Sequence, residues 1–199
     1  MAIKQASVSV VFSTREFAIT HGLSFSGASH HLRILEKHGD IIRITRGVWG
    51  RPNHPHFTAF ACVPVLLGQE QGYVSFLTAL HRHGAISQIS PVIQVATTGH
   101  SRKLATCIGR FEFFQLKPEM MLLGIEWSES YIPFRMATAE KALIDTLYLG
   151  TRKGRRFASL PELHRTFEQR KLSGLLREQR LPGPIVKAIQ ERLAQIVGS

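Results

Sequence analysis

Between Val11 and Pro52, helix caps, glycine stops and a β-branched run follow one another so closely that the order of elements is nearly dictated. Ser13 can accept the backbone N–H three residues on while Glu16 reaches back to it, a capping box that opens a helix through about His21. Gly22 ends that helix. Leu23 and Phe25 then supply apolar contacts across a tight turn, and Ser24 or Ser26 caps a second helix that runs to Lys37 and stops at Gly39. With so few residues between them, the two helices must cross steeply.

On the second helix Ala28, Leu32 and Leu35 recur at i, i+4 and i+7, which turns them inward against Phe12, Phe17, Ala18 and Leu23. The opposite face is polar and carries Ser26, Gly27, Ser29, His30, Arg33 and Lys37, with small residues first, where a backbone must approach a groove closely. Ile41, Ile42 and Ile44 read as a strand, Arg46-Gly47 as its turn, and Val48, Trp49 and Arg51 as the returning strand closed by Pro52. Arg43, Arg46 and Arg51 are expected to line this hairpin. Two helices followed by a cationic hairpin is the order of a winged helix-turn-helix, and the expected partner is double-stranded DNA. His30 or Arg33 would read base edges and Lys37 would meet phosphate. The same order also occurs in protein-protein modules, where the arginines are ordinary solvated surface.

The chain of 199 residues, 44% hydrophobic, is long enough for one large or two small cores. Its net charge of +11 is segregated. Residues 1–60 hold seven Lys/Arg against three acids, 61–150 seven against seven, and 151–199 eleven against four, giving +4, 0 and +7. Basic ends around a neutral middle fit ends that meet a polyanion. The expected division is a DNA-binding domain over 1–60 and an α+β domain over 61–199, with a basic helical tail from about 157. No apolar run is long enough for a membrane span, and no secretory signal opens the chain, so a cytoplasmic location is expected. Cys62 and Cys107 are too few for a disulfide framework and read as reduced core residues.

Beyond the hairpin, Phe57 to Leu67 is expected to form a short strand or two. Tyr73-Val74-Ser75 leads into a helix from Phe76 to His83, capped by Ser75 and stopped by Gly84. Val92–Thr97, Arg110–Leu116, Gly124–Trp127 and Ile132–Met136 read as strands. Thr138 caps a helix through Leu149 with Ala142, Leu143 and Leu147 inward, and Lys141 and Asp145 are spaced as an i, i+4 pair. The tail opens on a dense cationic loop whose Arg152, Lys153, Arg155 and Arg156 are candidates for contact with nucleic acid or a partner. Helices from about Pro161 to Arg170 and from Pro184 to Val197 follow.

The segment Gly72-Tyr-Val-Ser-Phe-Leu-Thr-Ala-Leu-His-Arg-His-Gly84, taken with Met136-Ala-Thr-Ala-Glu-Lys-Ala-Leu-Ile-Asp145, resembles the AbiEi family of antitoxin-like transcriptional regulators. The resemblance spans nearly the whole chain and is strongest from Phe12 to Leu149. It implies a winged helix joined to a C-terminal antitoxin domain, repression of its own operon, and neutralisation of a cognate nucleotidyltransferase-type toxin in a type IV toxin-antitoxin system linked to abortive infection. The family usually has a longer first helix where only about ten residues precede Phe12, which implies support from the C-terminal domain or a second copy. A stand-alone regulator without a toxin is the alternative.

Catalytic patterns are thin, and no cofactor or metal is expected. His81 and His83, two apart on a helix, point about 200° apart, whereas His54 and His56 in a loop can chelate weakly. There is no phosphate-binding glycine loop, nucleophile elbow or His-Glu-x-x-His. A metal-dependent nuclease would have to use Glu112, Glu119 or Glu140 with Lys117 or Lys141.

Overall fold

The computed structural model describes residues 9–151, 162–164 and 167–197. Strand β1 (Val11–Ser13) runs directly into helix α1 (Thr14–His21), and Ser13 and Glu16 close the capping box, with Glu16 N donating to Ser13 Oγ at 3.1 Å. Helix α2 (Phe25–His38) is capped by Ser24, whose Oγ accepts from Gly27 N at 3.1 Å. Gly22 and Gly39 end the two helices at φ 62° and 79°, a left-handed turn that costs glycine little. Strands β2 (Ile42–Thr45) and β3 (Val48–Gly50) form the hairpin, and β1 pairs antiparallel on the other side of β3.

Alternation gives this small sheet two apolar faces. Phe12 and Trp49, directly paired, pack with Phe17, Ala18, Ala28, Leu32 and Ile41 under the helices. Val11 and Ile44 turn the other way and join Ala61, Cys62, Val63, Val95, Phe111 and Phe113 in a second core. The expected boundary at residue 60 therefore falls inside one continuous apolar layer, within the 3-10 turn Phe60–Cys62. Val10, Val11 and Ile44 thus pack against later segments of the same chain. Tight packing here leaves Gly50 no room for a side chain: a Cβ would run into the Phe57 ring and sit 3.0 Å from Ile44 Cδ1.

The stretch expected as strand between Phe57 and Leu67 is instead that 3-10 turn and helix α3 (Val63–Leu67), with Pro64 in the first helical turn. A short apolar run without alternation is equally compatible with a buried helix, and the proline decides it. Next come β4 (Gly72–Val74), α4 (Phe76–Arg82), β5 (Ile93–Thr97), β6 (Arg102–Thr106), β7 (Gly109–Gln115), β8 (Ile125–Trp127) and β9 (Arg135–Ala137). These strands make a mixed six-stranded sheet in the order β6-β7-β5-β4-β9-β8. One face meets the second core. The other, through Tyr73, Ala96 and Ala137, meets helices α4, α5 (Ala139–Thr151), α6 (Gln169–Glu178) and α7 (Gly183–Val197). The fold is thus mixed α+β, with two sheets and, among the described residues, seven α-helices.

Two expectations for the C-terminal half change. The helix expected from about Pro161 to Arg170 starts only at Gln169, and 162–164 are not helical. Helix α5 is also buried on nearly every face from Ala139 to Leu149, beyond the single inward stripe expected, because α4, α6, α7 and the sheet surround it.

Candidate nucleic-acid interface

Helix α2 and the β2–β3 hairpin enclose a concave groove of about 470 Å³. The helix contributes Phe25, Ser29, Arg33, Glu36 and Lys37, the hairpin Arg43, Arg46 and Gly47, and Thr14 and Trp49 lie at its base. Positions 25, 29, 33 and 36/37 share one helix face, so the period that buries Ala28 and Leu32 also turns these outward. Arg43 pairs with Trp49 across the strands and lies on the groove side, while Arg46 sits at the hairpin turn.

The turn is held in place by α1. Thr14 N, which a helix start leaves without an internal acceptor, donates to Gly47 O at 2.9 Å, and Trp49 Nε1 donates to Thr14 Oγ1 at 2.9 Å. This fixes the hairpin's cations relative to α2. Four cations face one acid, Glu36, and Arg33, Lys37, Arg43 and Arg46 are all exposed. Among the described residues none of these four side chains is engaged in an ion pair. Such an arrangement attracts a polyanion and leaves the guanidinium donors available to it.

The structure therefore gathers Ser29, Arg33, Lys37, Arg43 and Arg46. Ser26 and His30 are exposed on α2 but do not line the groove. Gly27 donates its N–H to the Ser24 cap, and a Cβ there would stand 3.2 Å from Ser24 Oγ, so its small size also serves the helix start. Arg51 differs from expectation: it follows β3 at the end away from the Arg46–Gly47 turn, half-buried, with its N–H donated to Val10 O at 2.9 Å. The return strand ends one residue earlier than its sequence pattern implies. Arg152, Lys153, Arg155 and Arg156 lie outside the described residues. Sequence reasoning missed Thr14, Trp49 and Phe25 as groove residues. Phe25, expected to pack across the turn, is instead 64% exposed, and Leu23 alone makes that contact.

A second polar cluster lies in the core. Asp145 accepts from Ser75 Oγ at 2.7 Å, from Tyr73 OH at 2.9 Å and from Lys141 Nζ, and Lys141 and Asp145 are both fully buried. Burial pushes the Asp145 carboxyl up, with Lys141 and the two hydroxyls pulling it back; burial and the Asp145 charge push the Tyr73 phenol well above its ordinary value. Because Ser75 serves Asp145, its side chain makes no cap bond to α4; Leu77 N instead donates to Gln94 Oε1 at 3.0 Å. The two sequence segments that carry the family resemblance thus meet as a tie between α5 and β4. The side chains of Lys141 and Asp145 expose no surface.

The histidine pairs divide similarly. His81 Nδ1 and His83 Nε2 face the carbonyls of Ile86 and Ala137, the latter at 2.8 Å. His54 and His56 sit beside each other against Tyr131, with His56 stacked on it at 3.9 Å. Glu112 pairs with Lys103 at 2.8 Å. Among the described residues no three His, Cys, Asp or Glu side chains are placed to hold a metal, and no helix is long and apolar enough to cross a membrane. Cys62 is buried as expected, but Cys107 is exposed in the β6–β7 turn, because the turn projects past the strand pairing. Comparison of the chain with protein-family models and with curated proteins finds no match.

Proposed function

We propose that residues 10–52 form a winged helix-turn-helix that binds double-stranded DNA, and that the protein is a cytoplasmic transcriptional regulator acting on its own promoter, a binding protein and not an enzyme. One observation carries the reading: Arg33 and Lys37 on one helix face, and Arg43 and Arg46 on a hairpin pinned to α1, border one groove, and none of the four has an ion-pair partner among the described residues. Helix α2 enters the major groove with Arg33 at base edges, and the hairpin meets the adjacent phosphates.

Footprinting on the DNA upstream of the gene tests it. A protected site is expected, and variants change it differently: Arg33→Ala weakens binding to that site by about 1–3 kcal/mol and leaves random duplex nearly unaffected, whereas Arg46→Ala weakens both alike. Equal loss from both variants on both duplexes refutes base reading. The AbiEi resemblance further supports an antitoxin role toward a nucleotidyltransferase-type toxin. Co-expression of the full chain with the product of the neighbouring gene should relieve a growth defect; a defect that persists leaves the stand-alone regulator.

A further inference from the structure

Phe25 stands out among the groove residues. It is 64% exposed in the first turn of α2, and the other side chains that α2 lends to the groove, Ser29, Arg33, Glu36 and Lys37, are all polar or charged. One turn along the same face, Ser29 Oγ donates its hydrogen to Phe25 O at 2.8 Å, so toward the groove it offers lone pairs alone. The helix therefore presents an apolar ring and, about 6 Å further on, a hydrogen-bond acceptor. Of the Watson–Crick pairs only A·T carries both a methyl group and an amino donor on its major-groove edge.

We infer that the first turns of α2 select A·T: Phe25 packs on a thymine methyl and Ser29 Oγ accepts from an adenine N6 amino group. This rests on the DNA-binding reading above and assigns its base preference.

The test is selection from a random duplex pool by the full chain, followed by single-atom changes in the selected site. The selected site should contain a fixed A·T pair. Replacing the contacted thymine by uracil, which removes only the methyl, should weaken wild-type binding roughly fourfold, and should not affect Phe25→Ala. Replacing the adenine by purine, which lacks the amino group, should cost wild type roughly fivefold and leave Ser29→Ala indifferent. Phe25 is exposed, so Phe25→Ala should melt as wild type does, which separates recognition from folding. A selected site in which uracil and purine are tolerated, or affect wild type and variants alike, overturns the A·T assignment while DNA binding stands. A pool that yields no enriched sequence overturns both.

Discussion

Asp145→Ala perturbs the core at its most charged point. The carboxylate is fully buried and accepts from Lys141, Tyr73 and Ser75. Alanine leaves the Lys141 ammonium, itself fully buried, without its counter-ion, a loss of about 3–5 kcal/mol. Ser75 Oγ loses its acceptor at a further cost of about 1–3 kcal/mol, whereas Tyr73 OH keeps Met120 O at 3.2 Å. The expected destabilisation, about 4–8 kcal/mol, is comparable to the whole stability of many domains. Replacing both partners, Lys141→Met with Asp145→Leu, removes the unpaired charge and should recover most of that loss. Urea unfolding followed by circular dichroism gives the comparison directly. If Asp145→Ala lies within about 1 kcal/mol of wild type, or the double variant is no more stable than the single, the pair does not tie α5 to β4 as described.

Three further outcomes follow from the packing. Cys107 should react with a disulfide reagent in the native protein, while Cys62, whose thiol burial pushes up to about 12, should react only on unfolding. The unfolded chain releases the Cys62 proton near 9.0 and the folded chain does not, so stability is full below that pH and falls as pH rises toward 12; Cys62→Ala should flatten the alkaline slope in urea melts at increasing pH. Gly50→Val should lower the thermal midpoint through its clash with Phe57 and Ile44, and a midpoint equal to wild type would contradict the shared core behind the hairpin.

The N-terminal elements were legible because each boundary is set by a local device: the Ser13–Glu16 box, the Ser24 cap and the glycine stops at 22 and 39 act over three or four residues. The groove was half legible. Helical period placed Ser29, Arg33 and Lys37 together, and the hairpin turn placed Arg46, but Thr14 and Trp49 enter only through a bond between residues 35 apart. Phe25 was misread because period alone does not say which apolar residue the turn covers. Long-range burial was hidden as well. The spacing of Lys141 and Asp145 showed a pair, whereas its enclosure depends on β4, α4, α6 and α7. The short strand β6, with Arg102 and Lys103 in five residues, lacks an apolar signature and is fixed by pairing with β7.

The groove between α2 and the hairpin is tested most directly by titrating the full chain with a short duplex at low salt and following backbone amide resonances. The largest shifts should fall at Ser29, Arg33, Lys37, Arg43, Arg46 and Gly47, with α4 and α5 silent. Shifts centred elsewhere, with these amides unmoved, would contradict the placement of the duplex.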